Sequence, residues 1–245
     1  MDSPFVGPPL SVPLLVGGLR KYHPCESFDQ IDINLEVRKE IKYSNFPQTE
    51  YLSAQRYIES LIDRYLQKID QDRGAKAGMD YNLVYANFYL PDKQDLCFLW
   101  DFHKKLYKLL QLGSYDHYFI TVYKAEHPDV VAALLLAIFL KIKQPSKKII
   151  FGGFRHFTRK LLHEMDNIGY MDVLVVGRGE EPVRDLVNDL KNKQELKRVY
   201  RNELTKSEVH NRPDFKSFRN LEHFRFSQSE LEDYFRIRTD RQNNQ

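Results

Sequence analysis

The chain has 245 residues, 42% of them hydrophobic, which is enough to bury one good-sized core. Its 37 basic and 34 acidic side chains leave a formal charge of +3, too balanced for the single-sign field of a nucleic-acid or membrane-surface binder. Its two cysteines, Cys25 and Cys97, exclude a disulfide framework and a four-ligand zinc or iron–sulfur site, and are expected as reduced, buried thiols.

Val12 to Lys21 is predicted as a helix with Pro13 in its first turn. Ser27 to Asn34, SFDQIDIN, is predicted as a short strand. Leu52, Tyr57, Leu61, Tyr65 and Ile69 recur at helical spacing and predict a long amphipathic helix over Glu50 to Gln71. Arg73 to Asp80, with Gly74 and Gly78, is expected as a loop. Asn82 to Tyr89 fits strand or helix equally, and Leu96 to Leu112 reads as a second amphipathic helix.

From Asp116 onward, apolar runs of strand length alternate with helical segments, the pattern of βαβ units on a parallel sheet. The strands are Tyr118 to Tyr123 (YFITVY), Lys148 to Phe151 (KIIF) and Val173 to Val176; the helices are Asp129 to Lys143, Thr158 to Met165 and Glu180 to Asn192. Continuous rather than alternating apolar strands imply helices on both faces. The window VVAALLLAIFL, Val130 to Leu140, is about half of the ~20 residues a membrane span needs and is bounded by Asp129 and Lys141, so it reads as a buried helix. The N-terminus carries no secretory pattern, and a cytoplasmic address is expected. After Asn192 polarity rises and periodicity fades. The expected architecture is therefore α/β, a doubly wound parallel sheet of Rossmann-like or flavodoxin-like type over residues 1–192. A helical insertion is expected at about 40–112, and a connector-like, partly disordered tail over 193–245 with one or two short helices.

An open parallel sheet binds ligands at the carboxyl ends of its strands, beside the reversal of strand order. The candidate residues are thus Thr121, Val122 and Tyr123, then Gly152, Gly153 and Phe154, then Gly177, Arg178, Gly179 and Glu180. Glycine lets backbone approach a ligand closely. Each also has a plain structural reading: Gly152 and Gly153 serve a tight turn, and Glu180 complements a helix dipole. Known nucleotide and hydrolase signatures are absent. GRGEEP lacks the third glycine of the dinucleotide fingerprint and puts two carboxylates where a pyrophosphate would sit; there is no phosphate loop and no G-x-S-x-G elbow. The eight histidines form no H-x-x-x-H or H-x-H ligand pair.

Four phrases, in order, carry a family resemblance. PPLSVPLLVGGLRK (Pro8 to Lys21) resembles a PPLG-x-x-x-LA-x-x-LR helix, and DINLE (Asp32 to Glu36) resembles a strand end. YFITVYKAEHPDVVAALLLAIFLKIKQPSKKIIFGG resembles a segment with Ser or Thr after its strand, an iK-x-x-x-P helix end and a Gly-Gly turn. YMDVLVVGRGEEPVRDL (Tyr170 to Leu186) resembles a closing vD-x-vv-x-GeGE phrase. Together they resemble the cobalamin-binding domain of cobalamin-dependent radical S-adenosylmethionine enzymes, over about residues 3 to 190. The family's apolar first strand would precede Met1, so either the start is shortened or a segment such as Asn82 to Tyr89 takes its place. The iron–sulfur signature C-x-x-x-C-x-x-C of the catalytic barrel is absent, and RPDFKSFRNLEHF with LEDYFRI resembles the connector leading to such a barrel.

The resemblance implies a module that is not catalytic alone. It would hold cobalamin against Ser3, Gly7, Pro8, Thr121, Val122, Tyr123, Gly152, Gly153, Phe154, Gly177, Gly179 and Glu180. It would carry no iron–sulfur cluster, and it would serve a radical barrel protein in trans for methyl transfer to an unactivated carbon. Neither nucleic acid nor membrane is an expected partner. The D-x-H-x-x-G motif of related cobalamin domains, in methionine synthase and mutases, corresponds to DSPFVG at Asp2 to Gly7, with Pro4 in the histidine's place. Proline has no donor atom, so the cofactor is expected base-off without a protein histidine on cobalt; the competing view is that His127 or His156 reaches the metal. The rival reading is an interaction module that binds no corrinoid and docks a peptide or protein through its helical insertion or aromatic-rich tail.

Overall fold

The computed structural model describes residues 11–43, 46–73, 89–121, 127–152, 169–177 and 179–201. Their elements in chain order are α1 (Ser11–Tyr22), α2 (Ile33–Lys42), α3 (Gln48–Arg73), α4 (Lys93–Cys97), α5 (Trp100–Leu109), a 3-10 turn (Leu112–Ser114), β1 (His117–Thr121), α6 (His127–Lys143), β2 (Lys148–Gly152), β3 (Val173–Val176), α7 (Glu180–Lys191) and β4 (Val199–Arg201). Packing divides the described chain into two compact units: residues up to 42 with 179–194, and residues 43–177 with 195–201.

The second unit carries a four-stranded parallel sheet in the order β1-β2-β3-β4. With its helices it is the α/β, Rossmann-like architecture the alternation of apolar runs implies. The order is sequential, so a reversal of strand order is not among the described strands. Buried residues run unbroken through Ile149, Ile150 and Phe151 and through Val173, Leu174 and Val175, as continuous apolar strands require. β1 departs from that expectation: Tyr118 is buried, whereas the Phe119 ring is 41% exposed.

α6 connects β1 to β2, the crossover a parallel pair needs. Its middle, Leu134 to Leu140, is apolar all round because it lies out of solvent, while α3, α4 and α5 pack against the helix. Tyr118 turns toward the end of α6, where its hydroxyl lies between the Leu112 carbonyl oxygen (2.7 Å) and the Gln144 side-chain oxygen, either of which can accept its proton. Burial raises the pKa of this phenol to about 12. At the amino ends of the strands, Asp172 receives Lys141 Nζ at 2.8 and 2.9 Å and the Ile149 N–H at 2.9 Å, while its own N–H donates to the Ile149 carbonyl at 2.9 Å. This joins the ends of α6, β2 and β3.

Four sequence expectations are corrected. Ser27 to Asn34 is not a strand: Asn34 already lies in α2, with only Gln30 in a lone bridge. Ile33, Val37 and Ile41 recur every fourth residue, a helical period that outweighs the short alternating run before it, and the Asp32 carbonyl accepts the Glu36 N–H at 3.0 Å. The helix expected over Leu96 to Leu112 is broken into α4, α5 and the 3-10 turn. Asp92 and Asp95 form a reciprocal capping box that starts a separate helix, which stops at a tight turn where the Leu99 N–H reaches the Leu96 carbonyl at 2.9 Å. Val199 to Arg201, expected in a connector, is a strand paired with β3. Both cysteines are free and exposed rather than buried; α4 buries Leu96 and leaves the adjacent Cys97 in solvent, and Cys25 lies in the turn after α1.

In the first unit α1 packs on α7. A Cβ at Gly179, the residue before α7, would meet Leu15 Cδ1 of α1 at 3.4 Å, an ordinary contact distance. Lys191 pairs with Glu26 at 3.2 Å, and the Arg184 guanidinium lies 5.3 Å from the centre of the Tyr22 ring. No helix among the described residues is long and apolar enough to cross a membrane.

Candidate functional site

Three candidate residues end three neighbouring strands of the second unit. Thr121 closes β1 and Gly152 closes β2, and the two are register partners. Gly177 follows β3 directly, exposed, with φ +87, a backbone conformation in which a side chain is strained. Residues in register on adjacent strands project from one face, so Thr121 shares its face with Gly152, and Phe119 with Ile150. That face is opposite the one from which Tyr118 reaches the end of α6. Among the described residues a Cβ at Gly152 would find nothing nearer than Val175 Cβ at 3.8 Å, an ordinary contact distance, so the glycine relieves no clash with them.

No family model, curated protein or solved structure matches this chain. Thr121, Gly152 and Gly177 offer one hydroxyl and two stretches of bare backbone, with no carboxylate, imidazole or thiol of their own. Such an arrangement can position a ligand and does not by itself supply a base. No group of three or more His, Cys, Asp or Glu side chains able to hold a metal exists among the described residues.

Gly179 and Glu180 lie in the first unit, at the start of α7. Gly179 sits in helical conformation without a side-chain cap, and a Cβ there would lie in ordinary contact with Leu15 and Val183 at 3.4 and 3.8 Å. Ser3, Gly7, Pro8, Val122, Tyr123, Gly153, Phe154 and Arg178 lie outside the described residues, as do the stretch Asp2 to Gly7, the segment Asn82 to Phe88, the expected helix Thr158 to Met165, and His156. His127 is the first residue of α6. Phe119, not singled out from sequence, belongs to the Thr121 face. The two-residue period of a strand places it there once the strand's limits are known.

Proposed function

We propose that this chain is a cobalamin-binding module that holds the cofactor at the carboxyl ends of β1, β2 and β3 and presents it to a radical enzyme partner. The observation that carries the reading is the register pair Thr121 and Gly152, with Gly177 ending the next strand. A polar ligand tail lying across strand ends needs a donor and unobstructed backbone. The Thr121 hydroxyl supplies the first, and Gly152, which carries no side chain, supplies the second, which supports the reading. Val122, Tyr123, Gly153 and Phe154 join the reading through the family resemblance. When bound, cobalamin supplies methyl transfer to an unactivated carbon, with the radical partner acting in trans. The residues of this chain bind and orient; the cofactor would be held base-off, without a protein histidine, and the address is cytoplasmic.

The test is direct. Protein expressed with hydroxocobalamin and separated by gel filtration is expected to retain cobalt in proportion to the protein, and electron paramagnetic resonance of its cobalt(II) form is expected to lack nitrogen superhyperfine splitting from an axial ligand. Folded protein that elutes without cobalt would overturn the reading. That result would favour the interaction-module alternative, which has its own support in Phe98. This ring is 79% exposed and stands 5.1 Å from the Tyr57 ring on the helical part of the second unit.

A further inference from the structure

We draw no further inference here: the strongest candidate, the outer edge of β1 with the half-exposed Phe119 ring upon it, has no pairing strand among the described residues, and nothing in the structure shows what covers it.

Discussion

Lys141, near the end of the crossover helix, places its ammonium within 2.9 Å of both carboxylate oxygens of Asp172, the residue just before β3. The pair is four-fifths withdrawn from solvent, and Asp172 also accepts the Ile149 N–H. Removing the carboxylate leaves the partly buried ammonium with only the Lys147 carbonyl, at 3.2 Å, and leaves the Ile149 backbone donor without Asp172. Asp172→Ala is therefore expected to cost about 2 kcal/mol, whereas Lys141→Met, which leaves Asp172 with Ile149 and Lys148, is expected to cost about 1 kcal/mol or less. Urea unfolding of both variants checks the order; equal costs would show that the backbone bond contributes nothing.

Acid sensitivity is expected from His103. Its ring is 3% exposed, stacks on Phe139 at 5.5 Å and holds the Leu99 carbonyl at 2.9 Å through Nδ1, so the neutral tautomer with a proton on Nδ1 fits the site. Burial lowers its pKa to about 4, against a weaker opposing effect of the Leu99 carbonyl. The unfolded imidazole titrates near ~6.5, so between these values the unfolded chain binds more protons and stability falls as pH falls, by up to about 3 kcal/mol. Urea midpoints measured from pH 7 to 4.5 should drop less steeply in His103→Phe than in the natural chain. Parallel curves would show that His103 does not titrate in this window.

The end of α7 offers a gain in stability. Lys193 stands at φ 52, its N–H reaching the Leu190 carbonyl at 3.2 Å, while the Gln194 N–H reaches the Asp189 carbonyl at 2.9 Å. These two bonds define a Schellman cap, whose left-handed residue is usually glycine because a Cβ is strained there. Lys193→Gly is expected to stabilise the protein by about 0.5–1 kcal/mol, read as a raised thermal midpoint. A lowered midpoint would mean that the lysine side chain contributes more than the strain costs.

The candidate site is tested by size at Gly152. Among the described residues a methyl group there meets only Val175, at ordinary contact distance, so Gly152→Ala is expected to fold and melt like the natural chain. Gly152→Leu would fill the space beside Thr121 and is expected to lower cobalt retention at least tenfold while the circular dichroism spectrum stays unchanged. Undiminished cobalt in the leucine variant would remove Gly152 from the site.

Local pattern alone determined much of the second unit. β2, β3 and the middle of α6 announce themselves as unbroken apolar runs because each is buried, and α3 is legible as a helix, although its buried residues are Ala54, Ile58, Leu61 and Ile62, and Leu52 of the expected stripe is 38% exposed. α7 was equally legible, with Val183, Leu186 and Val187 buried at helical spacing. What remained hidden depends on partners distant in the chain. β4 is three residues long and shows itself only through its bonds to β3, and the pairing of Thr121 with Gly152 follows from register, which no single segment contains. At α2 a short alternating run and a four-residue period overlap at Asp32 to Asn34, and the helical period prevails. The exposure of Phe119 and Cys97 was decided by which neighbours cover each face, so it belongs to the tertiary structure rather than to the segment in which each residue lies.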